Sequence, residues 1–265
     1  MAGDEDAAVC DGRDIEVEEV SGLHSPMLSH RPSGTAIETP APGYRGRMRV
    51  CLASTSPARL MLLRQVGIEP TTRAPQVDEE AVIAATEAAE GRTLPPDEHV
   101  LLLARRKAAD VADTLAAEGF EGIVIGGDSM FELDGEILGK PYTPEAARAR
   151  WQSMRGRTGI LHSGHSVFLV RSGASPIEAH AVAEASVSFA ADVTDGEIDA
   201  YVATGEPLLV AGAFTVDSLG GAFIERVEGD PSTVVGMSLS TLRRLVRELG
   251  VEWTSLWNMP GTTTP

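Results

Sequence analysis

Apolar and polar positions along this chain switch repeatedly between a helical and a strand period. Arg49-Val50-Cys51-Leu52-Ala53 is a compact apolar run of the kind that fills a buried strand. Ser54-Thr55-Ser56-Pro57 follows, in which Ser56 suits a helix N-cap and Pro57 the first helical position. Leu60, Leu63 and Val66 then repeat at helical spacing until Gly67. Helices are predicted over residues 77–90 and, after Pro95-Pro96, over 97–118. Ile123-Val124-Ile125 reads as a second buried strand, ending in Gly126-Gly127-Asp128-Ser129. Residues 131–138 have the pattern of a hairpin turning at Asp134-Gly135. A helix is predicted over 144–154, then two long strands over 159–170 and 178–189. Thr194 with Glu197 is a capping-box pair opening a helix to about residue 204. Phe223-Ile224-Glu225-Arg226 reads as a strand and residues 239–249 as a closing helix. Strands and helices alternate without separating into blocks, which defines an α/β class with a central sheet flanked by helices.

Residues 1–47 stand apart. They mix acidic residues with Ser, Pro and Gly and follow neither period, so a disordered acidic extension is expected; a short docked strand over 15–20 is the alternative. Residues 48–251 form the expected folded domain and 252–265 a C-terminal tail. The 265 residues, 43% of them hydrophobic, suffice for one sizeable core. With 39 acidic and 22 basic residues the net charge is −17, which repels a nucleic-acid backbone and argues against DNA or RNA as the main partner. A small phosphorylated substrate stays open, because a pocket needs only a few focused cations. Two cysteines exclude a disulfide scaffold. No apolar run approaches the ~18 residues that a membrane span requires. The acidic N-terminus has no apolar stretch behind it and is no signal peptide, so a cytoplasmic location is expected.

Several segments can carry chemistry. In Ser54-Thr55-Ser56-Pro57-Ala58-Arg59, helix N-terminal N–H groups, hydroxyls and Arg59 together suit an anion; an ordinary capped turn has the same look. Asp128, after two glycines at an expected strand end, can hold a divalent cation or orient a water; alternatively it bonds its own turn. Lys140, after the hairpin, can point back to the same strand ends as a phosphate contact, or remain a surface lysine. Glu79 within Val77-Asp78-Glu79-Glu80, and Lys107 within Ala104-Arg105-Arg106-Lys107-Ala108, gain weight only in company. His162 and His165, three apart on one strand, should face opposite sides, so a histidine metal site is not expected. Leu219-Gly220-Gly221-Ala222 matches neither the dinucleotide nor the P-loop pattern, and no Gly-x-Ser-x-Gly elbow supports a serine hydrolase.

Taken in order, these segments resemble the Maf family of nucleoside triphosphate pyrophosphatases. The resemblance runs from about Met48 to Val251. Besides the segments above it includes Gly127-Asp128-Ser129, Leu138-Gly139-Lys140-Pro141, Thr204-Gly205-Glu206-Pro207, Ala211-Gly212-Ala213-Phe214 and Val235-Gly236-Met237-Ser238-Leu239. It implies a mixed sheet with two lobes and a cleft between them. It also implies hydrolysis of the α–β phosphoanhydride of a nucleotide to a monophosphate and pyrophosphate, with a divalent cation (Mg or Mn) as cofactor. By the same resemblance Arg59, Lys107 and Lys140 are phosphate contacts, Ser54, Ser56 and Ser129 substrate-binding hydroxyls, and Asp128 and Glu79 the catalytic, metal-holding carboxylates. Family members are often homodimers, which the acidic surface does not forbid.

Two departures stand out. The family usually carries two arginines after Ser-x-Ser-Pro, and here Ala58 takes the first place. Members preferring thymidine or uridine triphosphates carry a glutamine where this chain has Asp217, whereas a subgroup acting on a methylated guanosine triphosphate has an acidic residue. An ionised carboxylate accepts from guanine N1–H and amine groups, so Asp217 implies a guanine-leaning or relaxed preference; a solvated turn aspartate is the alternative. Competing readings are an inosine-triphosphate-type pyrophosphatase, against which Ser-Thr-Ser-Pro argues, and a catalytically weak regulator of septum formation, against which Glu79, Lys107, Asp128 and Lys140 argue.

Overall fold

The computed structural model describes residues 48–258, so the readings of residues 1–47 and of the chain's last seven residues lie outside it. Strand β1 (Val50–Ala53) is buried throughout. Ser56 caps helix α1 (Pro57–Gln65), its hydroxyl accepting from Arg59 N at 3.4 Å, with Pro57 in the first turn. A two-residue strand β2 (Thr71–Thr72) follows, too short for any periodicity to announce. Asp78 caps α2 (Glu79–Glu90), a helix with no buried residue. Helix α3 (Pro96–Ala117) buries Val100, Leu103, Ala104, Lys107, Ala108 and Val111, a stripe at helical spacing.

Strand β3 (Gly122–Leu133) turns into β4 (Glu136–Ile137) through Asp134 and Gly135, both left-handed (φ 51° and 83°), as a two-residue hairpin demands. Thr143 caps α4 (Pro144–Met154). Strands β5 (Thr158–Val170) and β6 (Ile177–Phe189) pair antiparallel over their whole length. The capping box of Thr194 and Glu197 opens α5 (Asp195–Ala203) as predicted. β7 (Ile224–Gly229), the short α6 (Pro231–Val235) and α7 (Leu239–Glu248) complete the domain. None of the described helices is long and apolar enough to cross a membrane.

The seven strands form one mixed sheet in the order β2-β1-β3-β5-β6-β7, with β4 also on β3. β1 pairs parallel with β2 and β3, and the remaining pairs are antiparallel. Around one half of the sheet, Leu52, Ile123, Ile125 and Val167 pack under α1 and α7, while Cys51, Ala53 and Val124 pack under α3. Around the other half Phe131, Trp151, Phe189, Tyr201 and Phe214 form a separate core of edge-on rings with α4 and α5.

One expectation is corrected. Gly126-Gly127-Asp128-Ser129 does not end its strand: β5 pairs with β3 without a break from Gly122↔Val170 to Glu132↔Ile160. The strand that ends there is its neighbour. β1 pairs with β3 only through Ala53↔Gly126, and β4 takes up the same edge at Glu132. Between them the sheet is interrupted, and Asp128 and Ser129 lie on that open stretch. The glycines serve close packing rather than a turn. A Cβ on Gly126 would stand 2.6 Å from Ala104 O, and one on Gly164, across the ladder, 2.2 Å from Val100 O, so α3 lies directly on the strands.

Candidate active site

Successive residues of β3 face opposite sides of the sheet, and the open stretch carries chemistry on both. On the α3 side, Lys107 Nζ lies 2.8 Å from Asp128 Oδ1 and 2.9 Å from Glu79 Oε1. Lys107 gets there because α3 sits against Gly126, one turn of helix from the contact. Its side chain is only 10% exposed and Asp128's 15%, while Glu79, the first residue of α2, is 49% exposed. A lysine this buried requires paired charge, and two carboxylates from different elements supply it.

On the other side, Arg59 reaches across from α1. Its Nε donates to Gly236 O at 2.9 Å, Nη1 to Ser54 Oγ at 3.4 Å and Nη2 to Ser129 Oγ at 3.0 Å. The guanidinium lies close over the strand at Gly127, where a Cβ would stand 3.4 Å from Arg59 Nε, an ordinary contact. Burial lowers the basicity of the guanidinium, and the charges of Asp128 and Glu79 partly restore it. A guanidinium has five N–H groups; three are engaged, leaving one on each terminal nitrogen for an anion. Ser54 also accepts from Ser56 N at 3.1 Å, which fixes the turn between β1 and α1.

The structure therefore joins Ser54, Ser56, Arg59 and Ser129 into one group, and Glu79, Lys107 and Asp128 into another, across the interrupted edge. It does not bring the remaining two predicted residues into either. Lys140 stands exposed beyond the hairpin, between Leu138, whose N donates to Phe131 O, and Tyr142, whose N donates to Leu208 O. Asp217 is exposed on its loop. The carboxylate that organises that loop is Glu206, which accepts from Tyr201 and Thr215 hydroxyls, from Ser218 Oγ at 2.7 Å and from Gly220 N at 3.1 Å. Burial alone would raise its pKa; these donors outweigh that and hold it at about 2. Ala58 leaves a half-buried methyl where a second arginine would stand.

Sequence reasoning gave no role to Ser163, Gly236 or Asp230, although Gly236 lies in the Val235-Gly236-Met237-Ser238-Leu239 segment of the resemblance. Ser163 Oγ lies 3.1 Å from Ser129 Oγ, and both hydroxyls reach Gly236 O, at 3.4 and 3.2 Å. Asp230 binds the turn that presents Gly236. Asp230 before Pro231 is a local helix-cap signal, but the contacts that converge on Gly236 O come from Arg59, Ser129 and Ser163, 177, 107 and 73 positions away, and nothing local announces them. His162 and His165 do face opposite sides: His162 lies between Glu132 and Glu184, both at 2.9 Å, and His165 Nε2 accepts from Ser238 N at 2.7 Å.

A buried lysine between two carboxylates and an arginine with free N–H groups, gathered at a gap in a mixed sheet, define an α/β enzyme site for a polyanion with carboxylates at hand for water. The profile described as Maf-like protein matches residues 49–249, and the chain belongs to that family. Among its relatives, a Leifsonia xyli subsp. xyli protein named nucleoside triphosphate pyrophosphatase is 62% identical over 82% of this chain and 100% of its own length. Proteins of the same name from Rhodococcus jostii and Nocardia farcinica are each 50% identical over 79% of this chain and 96% of theirs. Among solved structures, the Ham1 protein of Staphylococcus aureus aligns over 54% of this chain and 72% of that one, at 12% identity and a TM-score of 0.27.

Proposed function

We propose that this protein is a cytoplasmic nucleoside triphosphate pyrophosphatase that hydrolyses the α–β phosphoanhydride. The observation that carries the reading is the Glu79–Lys107–Asp128 cluster beside the two free N–H groups of Arg59. A triphosphate needs fixed cations along its chain, and Arg59 and Lys107 supply them; Lys140, exposed beyond the hairpin, is the third cation that this reading assigns to the phosphates. A water molecule bonds to the α-phosphorus as the bridging oxygen leaves with pyrophosphate. Asp128 takes the water's proton through the oxygen that does not bind Lys107.

The donor set also fits a divalent cation. Asp128 and Glu79 converge on a single cationic centre, at present the ammonium of Lys107, and two carboxylate oxygens are hard ligands suited to Mg²⁺ or Mn²⁺. The described residues hold no group of three or more His, Cys, Asp or Glu able to bind a metal, so phosphate oxygens and waters would complete the shell. A cation bound there would neutralise charge developing on the phosphates.

Pyrophosphate release from a panel of nucleoside triphosphates, with Mg²⁺, Mn²⁺ or EDTA, tests this reading. Release that is metal-dependent and abolished in Asp128→Asn supports it; no release from any nucleotide by folded protein rejects it. The exposed carboxylate of Asp217 carries the guanine-leaning preference, and association into a homodimer belongs to the same reading, to be decided by light scattering.

A further inference from the structure

Arg59 is useful only if its fork is held still. Its Nε is fixed by one backbone carbonyl, Gly236 O, which also collects Ser129 Oγ and Ser163 Oγ. That carbonyl sits in a turn joining α6 to α7, and Gly236 has φ 121°, a conformation that a side chain would strain. Two groups outside the reacting cluster fasten the turn. Asp230 accepts from Ser232 N at 2.9 Å, Ser232 Oγ at 2.6 Å, Ser238 Oγ at 2.8 Å, Ser240 N at 3.1 Å and Ser240 Oγ at 2.7 Å. From the sheet beneath, fully buried His165 accepts from Ser238 N. His165 lies on β5 two residues beyond Ser163, so one strand face holds the turn at both Gly236 and Ser238.

We infer that His165 and Asp230 are positioning residues: together they hold the Gly236 carbonyl where it locks Arg59 with its two free N–H groups aimed at the phosphates of the substrate. The inference rests on the pyrophosphatase reading for the identity of that anion. His165 can serve in this way because it is neutral. Burial, then the nearby charge of Arg59, lower its pKa to about 4, and a ring accepting at Nε2 carries its proton on Nδ1. Protonation or removal of that acceptor would leave the Ser238 N–H buried without a partner. The turn would then move, and with it the carbonyl two residues earlier.

The test compares His165→Leu, which removes the acceptor, with His165→Gln, whose amide oxygen can replace Nε2. In the leucine variant KM for the triphosphate should rise about tenfold and inhibition by pyrophosphate should weaken by the same factor, with kcat changed less. The glutamine variant should return both to within about twofold of the native values. Should His165→Leu fail to fold, Asp230→Asn decides, since it keeps the side-chain shape and removes the charge that gathers the turn. It should show the same KM-weighted loss, about threefold or more. Unchanged KM and pyrophosphate inhibition in a folded variant, or a glutamine variant as impaired as the leucine one, would overturn the inference. Calorimetric binding of pyrophosphate to native and variant proteins separates the two proposals. If native protein releases no pyrophosphate from any nucleotide, the functional reading fails. A difference in pyrophosphate affinity between native and His165→Leu still supports positioning of Arg59, and equal affinities still refute it.

Discussion

Gly126→Ala should damage stability and activity together. A Cβ at position 126 would stand 2.6 Å from Ala104 O, 2.7 Å from Ala108 Cβ and 2.9 Å from Ala108 N. Two of these are main-chain atoms of α3, which no rotamer change can move aside. Ordinary contact begins near 3.4 Å, so α3 must withdraw by roughly 0.8 Å locally (3.4 less 2.6), a forced overpacking that costs about 1–3 kcal/mol. Lys107 is the residue before Ala108, and a displacement of that order carries its ammonium away from Asp128 and Glu79. A misplacement of about 1 Å can lower turnover up to about 10²-fold. The assays are urea unfolding and steady-state pyrophosphate release at saturating substrate. Gly196→Ala is the control: it lies in the first turn of α5, the nearest atom to its Cβ is Thr194 Oγ1 at 3.9 Å, and alanine there should gain up to about 1 kcal/mol without touching kcat. A Gly126→Ala protein of native stability would refute the packing argument. One that is destabilised yet retains native kcat would show that contact of α3 with β3 does not set the place of Lys107.

Acid should destabilise the domain in two stages. His165, held neutral with its pKa near 4, opposes folding as pH falls from about 6.5 to 4, because the unfolded chain takes up a proton that the native one refuses; about 3 kcal/mol is the upper bound. Glu206, whose folded pKa is depressed to about 2, contributes stability that is complete above about 4.5 and lost as pH falls to 2, about 1–2 kcal/mol after discounting its partial exposure. Unfolding midpoints against pH should lose the first stage in His165→Gln and the second in Glu206→Gln, and unaltered profiles would contradict both assignments. On substrate choice, Asp217→Gln should shift the ratio of GTP to UTP turnover toward UTP; an unchanged ratio removes Asp217 from base recognition.

How much of this was legible in the sequence follows from the range of the interactions. Caps, helical stripes and the Asp134-Gly135 hairpin depend on residues within a turn or two, and those elements stand where the pattern puts them. β2 is two residues long and α6 five, too short to carry a period. Gly126-Gly127 was misread because two adjacent glycines signal a strand's end locally, whereas here continuous pairing with β5 overrides that signal and Gly126 admits α3. The site was visible in part for the same reason. Ser54, Ser56 and Arg59 share one turn, and the motif order linked Lys107 and Glu79 to Asp128, although only the fold shows all three meeting at one ammonium. The support of Arg59 was not visible, because Gly236 lies 177 positions away and contributes a carbonyl that every residue possesses. The glycine matters there for its φ and not for any side chain, and the histidine that steadies it looks from sequence like ordinary strand filling. Residue type betrays the groups that meet substrate; it hides those that act through backbone atoms. Those hidden supports place the donors and hold the fork rigid, so they should govern affinity for the polyanion as firmly as the side chains that touch it.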